Sequence, residues 1–335
     1  MPTIAIDARD AFDPELRGWG RYTRELVEAM QRAVARDGLE LRVLREGGPG
    51  PEVLFEQVSL PRILRREGAA AIHAPNCFLP LRRPCPGVVT IHDLAFETHP
   101  EDFGRRTRWK YRTIAPRAVR SAERVICVSE FTRGEVCRRY GVDSDRTRVI
   151  PEAPALARGG EEPPPGPYLL AVGDLRRKKN LGRLVEAFHL LRTEGLPHRL
   201  VLAGLDTGEG GRLVGDAVEL TGYVSDERLD ALMRGADLLV SPSLHEGFGL
   251  VLLEAMARGC PVAAARAGAL PETGGDAAAY FDPLDPRDMA ASIRGVLEGG
   301  TLRERLVRGG RERAASFSWE RAAERTLAVY RELTG

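Results

Sequence analysis

Short apolar runs, bounded by glycine, proline and charge, alternate along this chain with longer stretches whose apolar residues recur every three or four positions. The short runs read as strands buried on both faces, the longer ones as helices packed by one stripe. In the first half, strands are expected at 4–6, 41–44, 70–73, 88–92, 125–128 and 148–150, with helices at 22–35 and, behind a Ser129 cap, up to Tyr140. Residues 157–167, ARGGEEPPPGP, offer nothing to a core and read as a linker. A second alternation then begins with strands at 168–172, 199–203, 218–220, 237–240, 261–265 and 278–281. Its helices are expected at 181–193, after the Ser225 cap, at 250–257, briefly at Pro271-Glu272, and after the Asp285-Pro286 cap. A last helix from Ser318 puts Trp319, Ala323, Leu327, Tyr330 and Thr334 on one stripe. Such alternation predicts an α/β protein of two Rossmann-like, doubly wound domains facing a central cleft: residues 1–157, residues 158–315, and a helix at 316–335 packing back across them.

The chemistry concentrates at Ser241–Glu254, SPSLHEGFGLVLLE, where a strand hands over to a helix through a turn holding Gly247 and Gly249. Glycines there let backbone approach a ligand, and the free N–H groups of the new helix favour an anion. Glu246 and Glu254, with seven residues between them, bracket this seat. Spacing alone leaves them open as ligands of one molecule, or as a cap and a solvated face residue. Gly173 to Asn180, GDLRRKKN, follows an earlier strand and brings Lys178 and Lys179, cations suited to a diphosphate. Near the start, Gly18 and Gly20 stand before the expected helix as a second anion seat, but Thr23 replaces the third glycine of a dinucleotide fingerprint. His73 and His92 end two strands, and Asp93 follows the second, so His92 is a candidate partner of a reacting hydroxyl or a weak base. The histidines and Asp93 show no zinc spacing, and Asp143-Ser-Asp145, though of the D-x-D form found at some metal sites, lies in a turn before a strand and is explained by turn chemistry.

Composition narrows the picture. With 49 basic and 48 acidic residues, no overall field recruits nucleic acid. Five scattered cysteines form no framework and fit a reducing cytoplasm, and neither a secretory leader nor a membrane-length apolar run is seen. Only three of the 49 basic residues are lysines, so the adjacent Lys178 and Lys179 mark a place that needs compact ammonium groups. Residues 104–124 carry eight basic residues against Glu123. That run reads as a solvated helix face kinked near Pro116, or as a peripheral contact with an anionic membrane.

Together SPSLHEGFGLVLLEAMARGCPV, VGDLRRKKN, TGYVSDERLDAL, GALPETGGDAAAYFDP, TIHDL, VSEFTR and GWGRY, in order over nearly the whole chain, resemble the retaining GT-B glycosyltransferases of glycosyltransferase family 4. The resemblance implies a nucleotide-sugar donor held by the second domain. Glu254 would bind ribose, Lys178 and Lys179 the diphosphate, and the backbone at Tyr223 and Val224 the base. Gly173, Gly247, Phe248, Gly249 and Leu250 would line the sugar and phosphates, with Gly20 approaching from the first domain. Glu246 and His92 would be the catalytic pair, and Arg21, His73 and Asp93 would lie on the side of a glycan, lipid-linked or small-molecule acceptor. No metal or other cofactor is implied, and the implied location is the cytoplasm, with peripheral contact at the inner membrane face. Asp174 stands where many relatives carry arginine, which leaves Lys178, Arg177 or Arg176 as second cation and points to a GDP-sugar, mannose foremost. Two alternatives stay open: a sugar-nucleotide-binding protein without turnover, and double displacement with Glu246 as nucleophile.

Overall fold

The computed structural model describes residues 1–12, 18–34, 38–47 and 51–335. By packing, these divide into two units, Met1–Glu152 with Ser318–Gly335, and Ala153–Phe317.

Unit 1 is built on a six-stranded parallel sheet of order β2-β1-β3-β4-β5-β6. Its strands are β1 (Thr3–Asp7), β2 (Glu40–Leu44), β3 (Ala71–Ala74), β4 (Gly87–Ile91), β5 (Arg124–Cys127) and β6 (Thr147–Val149). β3 and β4 are buried at every position, whereas the edge strand β2 alternates, as central and edge places require. Helix α1 (Gly18–Ala33) begins earlier than the pattern indicates, and the expected end at Ala35 lies outside the described residues. The segment from Glu52 to Glu67 gave no sequence expectation. It forms α2 (Glu52–Leu54), a π-helical turn at Phe55–Ser59 and α3 (Leu60–Glu67). α4 (Ala95–Thr98), α5 (Arg105–Ser121) and α6 (Glu130–Tyr140) follow, the last capped by Ser129, whose Oγ accepts from the N–H of Thr132 at 3.0 Å.

The basic run becomes α5, which continues through Pro116. Lys110 donates to Glu52 and Glu56, Arg112 pairs with Glu97 at 3.3 Å, Arg120 bonds the Tyr140 carbonyl at 3.1 Å, and Arg124 pairs with Glu332. Lys110, Arg112, Arg120 and Arg124 are thus turned onto protein partners, whereas Arg105 and Arg106 stand exposed in the first turn of α5. No helix among the described residues is long and apolar enough to cross a membrane.

Unit 2 holds a second six-stranded parallel sheet, of order β12-β11-β10-β7-β8-β9. Its strands are β7 (Tyr168–Val172), β8 (Arg199–Ala203), β9 (Val218–Gly222), β10 (Leu238–Ser241), β11 (Val262–Ala265) and β12 (Ala279–Phe281). Its helices are α7 (Leu181–Thr193), α8 (Asp226–Gly235), α9 (Leu250–Ala257), α10 (Leu270–Gly274), α11 (Pro286–Glu298) and α12 (Gly300–Ala315). α12 is largely polar and contains three glycines, which hid it. It packs on α9 so closely that a Cβ at Gly310 would lie 3.1 Å from the Met256 side chain.

The segment expected as a linker is strapped along unit 2. Asp230 of α8 accepts from the Gly159 N–H at 3.1 Å, while Arg258 donates to the Leu156 and Ala157 carbonyls and pairs with Asp230 at 2.7 Å. The final helix, α13 (Trp319–Thr334), groups with unit 1 and packs on α1 through Trp319, Ala323, Leu327 and Tyr330.

Candidate active site

In an open parallel sheet, ligands bind beyond the carboxyl ends of the strands where the order reverses. In unit 2 that point lies between β7 and β10, so the two loops carrying the sequence signals, Gly173 to Asn180 and Ser241 to Gly249, are brought side by side. Backbone and side chain knit them: the Leu244 N–H donates to the Lys178 carbonyl at 2.8 Å, and Asn180 Nδ2 donates to the carbonyls of Pro242 and Pro283 at 3.1 and 2.7 Å. Asn180 adopts left-handed backbone with φ of 55°, turning the chain directly into α7.

At the centre of this junction Lys179 Nζ lies 2.6 Å from Glu246 Oε1. Burial alone would raise the Glu246 carboxyl. The charges of Lys179 and Lys178, with hydrogen bonds from Lys179 and Ser243, outweigh it and hold the carboxyl below the ordinary range. Two glycines make the arrangement sterically possible. A Cβ at Gly173 would lie 2.8 Å from Lys179 Cε, and one at Gly268 would lie 2.7 Å from the Glu246 nitrogen. Both also have positive φ, 135° and 59°, which side chains rarely adopt.

Glu254 lies in α9 and is 3% exposed among leucine, alanine and methionine, so it is not the solvated face residue that spacing left open. Gly249, at the N-terminal cap, opens that helix toward the same loop, followed by Leu250, while Gly247 and Phe248 are buried. Thr273 donates to the Phe248 carbonyl, tying α10 to the turn. Tyr223 stands 58% exposed just after β9, next to half-buried Val224. Asp174 is neutralised by Arg176 at 3.4 Å, and Arg177 pairs with Glu209 at 3.6 Å, so the cations near Glu246 are lysines. Sequence reasoning missed Ser243 and Gly268. Both lie within the quoted motifs SPSLHEGFG and GALPETGG, and their small size was the available signal.

In unit 1, His92 follows β4 and its ring nitrogens face two acceptors: Nδ1 meets Glu152 Oε1 at 2.8 Å and Nε2 meets the Pro75 carbonyl at 2.9 Å. Both acceptors are satisfied together only by a ring with two N–H donors, so the site favours the imidazolium. Burial would lower its pKa, but the hydrogen bond and charge of Glu152 and the Pro75 carbonyl raise it above the ordinary value. While Glu152 and the Pro75 carbonyl hold both ring nitrogens, the protonated ring has no lone pair to offer as a base. The ring of Tyr22 meets it edge-on at 4.6 Å.

His73 is fully buried, bonded through Nδ1 to the Tyr330 hydroxyl at 2.6 Å and through Nε2 to Thr90 Oγ1 at 2.8 Å. Burial, then the nearby His92, lowers its pKa to about 3, leaving it neutral. With no exposed surface, it is a core residue joining α13 to the sheet, not an acceptor-side contact. Asp93 Oδ1 accepts from the Ala95 N–H at 2.9 Å and so shapes the start of α4. Gly20 is buried in the first turn of α1, which corrects the expected glycine loop at 18–20. Arg21 is half-buried beside it, and Arg17 lies outside the described residues.

Residues 155–313 match the family described as glycosyl transferases group 1, and residues 16–153 match Glycosyltransferase Family 4. O-antigen chain mannosyltransferase B of Escherichia coli is 32% identical over 98% of this chain and 99% of its own length. The chain belongs to glycosyltransferase family 4. This family 4 glycosyltransferase also shares 43% identity with the D-inositol 3-phosphate glycosyltransferase of Nocardioides sp., over 41% of its own chain and 31% of that relative. Among solved structures, the sucrose-phosphate synthase of Thermosynechococcus elongatus superposes with a TM-score of 0.80 at 24% identity, covering 99% of both chains. Anabaena HepE in complex with UDP and glucose gives 0.70 at 19%, covering 99% of this chain and 100% of that one. At those identities the likeness shows the shared GT-B fold.

Proposed function

We propose that this enzyme transfers a hexose, mannose from GDP-mannose, to a hydroxyl of a glycan acceptor with retention of anomeric configuration. The observation that carries the reading is the Lys179–Glu246 pair, 2.6 Å apart at the switch point of unit 2. An ionised carboxylate and clustered ammonium groups are what a sugar-diphosphate needs: the carboxylate orients sugar hydroxyls and faces developing positive charge, and the lysines meet the departing diphosphate. Glu254, buried in α9, binds the ribose, and Tyr223 and Val224 present backbone and ring to the base. As the bond from anomeric carbon to diphosphate oxygen breaks, the acceptor oxygen bonds to the same face of that carbon. Its proton passes to the leaving diphosphate oxygen. His92, whose protonated form Glu152 favours, contributes positive charge in unit 1, and the reading needs no metal. The preference for mannose is supported by the full-length mannosyltransferase relative.

Nucleotide sugars screened by thermal melting test the donor: GDP-mannose should raise Tm by mass action, by about 2.7 kcal/mol of stability at a hundredfold excess over Kd. Glu254→Ala should raise the donor KM about tenfold or more, as loss of a charged hydrogen bond predicts. Lys179→Ala and Glu246→Ala should instead lower kcat by about 10²- to 10³-fold. Near wild-type kinetics in all three would remove the site assignment. The ionised state of Glu246 also suits a nucleophile, so mass spectrometry of the denatured, substrate-quenched enzyme decides between the mechanisms: a glycosyl group on Glu246 would establish double displacement.

A further inference from the structure

α12 turns one face toward the segment that leads from α10 into β12, and a cavity of about 930 Å³ opens between them. Arg305, Arg308, Glu312 and Arg313 enter it from α12, and Asp276 and Tyr280 from the facing segment. Its volume is within the roughly 300–1,000 Å³ usual for small-ligand sites. It lies in unit 2 against the C-terminal end of α10, whose N-terminal end meets the Glu246 turn. None of the residues assigned to the donor lines it.

We propose that this cavity is a regulatory site for a small hydroxylated phosphate monoester, whose phosphate pairs with Arg305 and Arg308 and draws Arg313 away from α10. Its occupant thereby weakens donor binding at the Glu246 turn. That effect rests on the glycosyl-transfer reading above, which makes the turn a donor seat, whereas the phosphate site itself does not.

The charges of the cavity are left over for a ligand. Elsewhere on α12 the arginines are taken up by protein: Arg303 pairs with Asp237 at 3.2 Å, and Arg313 donates to the carbonyls of Thr273 and Glu272 at 2.9 and 2.6 Å. The side chains of Arg305 and Arg308 have no hydrogen bond or ion pair among the described residues, although they stand one helical turn apart on the cavity side. Two guanidinium forks so placed suit the oxygens of a phosphate. The carboxylates of Asp276 and Glu312 are equally uncommitted and also line the cavity. They repel a bare polyanion yet accept from hydroxyls, which favours a phosphate on a hydroxylated body over a polyphosphate or an anionic membrane.

Arg313 connects the cavity to the donor turn by two routes. Its carbonyl bonds hold the C-terminal end of α10, and from α10 the Thr273 hydroxyl donates to the Phe248 carbonyl. At the other end of that helix the Ala269 N–H donates to the Glu246 carbonyl at 2.9 Å. The Arg313 guanidinium also lies 4.9 Å from the centre of the Phe317 ring, which meets the Phe248 ring edge-on at 5.7 Å. A phosphate competes for Arg313 against neutral carbonyls, and a charged acceptor makes the stronger bond. The two states are therefore Arg313 on α10 and Arg313 on the ligand.

The test is calorimetric titration of the full chain with mannose 6-phosphate and with inorganic phosphate, followed by GDP-mannose titrations at rising mannose 6-phosphate. Saturable binding of mannose 6-phosphate is expected, tighter than that of inorganic phosphate. The double variant Arg305→Ala, Arg308→Ala should weaken it about tenfold or more, as loss of charged hydrogen bonds predicts, while binding GDP-mannose alone like the wild type. GDP-mannose affinity should fall about five- to tenfold and level off once the cavity is full, and GDP-mannose should weaken mannose 6-phosphate by the same factor. Arg313→Ala should still bind mannose 6-phosphate saturably but lose its effect on GDP-mannose. Absence of saturable binding, or binding that the double variant leaves unchanged, would overturn the proposal. So would a GDP-mannose affinity that ignores the phosphate, or one that falls without levelling off and equally in the double variant, which marks competition in the donor seat. Binding to phosphatidylglycerol vesicles with none of mannose 6-phosphate would overturn it in favour of a membrane surface. Failure of GDP-mannose to bind the wild type would remove the transfer reading and the regulatory effect with it, while phosphate binding through Arg305 and Arg308 would stand by itself.

Discussion

At His92 two acceptors converge on one ring, and the charge that results is linked to pH. A histidine whose folded pKa is raised contributes stability that is fully present below its unfolded value, about 6.5, and is lost as pH rises through the folded value. The wild-type protein should therefore lose both stability and activity as pH climbs through that raised value. In Glu152→Gln the loss should begin at lower pH. Urea denaturation and kcat/KM measured across pH would show it, and superimposable profiles for the two proteins would remove the imidazolium assignment. The strand-end position of His92 was legible in the sequence because a short apolar run stops there. Its charge was not, because the partner Glu152 follows a strand two places away in the sheet. His73 shows the same limit from the other side: an equivalent sequence position became a core residue once Tyr330 arrived from the far end of the chain.

At the scale of elements, the strap along unit 2 is anchored at a buried carboxylate. Asp230 is 0% exposed and joins Arg258, Arg234 and the Gly159 N–H, linking α8, the end of α9 and the segment before β7. Removing one partner of a buried pair leaves the other charge uncompensated, so Asp230→Ala should cost about 3–5 kcal/mol. Equilibrium urea unfolding measures this. A loss below about 1 kcal/mol would mean the strap is held by its backbone contacts alone. The proline-rich composition of this segment announced a linker correctly as irregular chain, yet gave no sign that its carbonyls would be taken by Arg258 and Arg234. Caps were more legible than packing. Ser129, Ser225, Asp285 and Ser318 each accept a backbone N–H at a helix start, since capping depends on neighbours a few residues away.

For the whole molecule, the alternation of strands and helices indicated two doubly wound sheets, but it could not reveal that they differ. Unit 1 runs 2-1-3-4-5-6 and unit 2 runs 3-2-1-4-5-6 in local numbering, because order depends on which way each crossover turns. That difference sets the strand-end openings: the donor signals fall between the first and fourth strands of unit 2, and the cavity lined by Asp10 and Asn76 between the first and third of unit 1. Returning α13 to unit 1 also makes that unit depend on the last residues of the chain. Deleting Ser318–Gly335 should strip protection from β1 and β3 amides while β7 and β10 stay protected, as hydrogen exchange would report. Equal protection in all four strands would show that α13 is dispensable.

That return of the chain orders events during synthesis. Unit 2 is one uninterrupted stretch and can complete its core as soon as Phe317 has left the ribosome. Unit 1, though made first, waits for Trp319, Leu327 and Tyr330 to close against α1 and His73. Its nascent form has an unfinished apolar face for the time it takes to translate the whole of unit 2, which is the interval in which a chaperone would engage it.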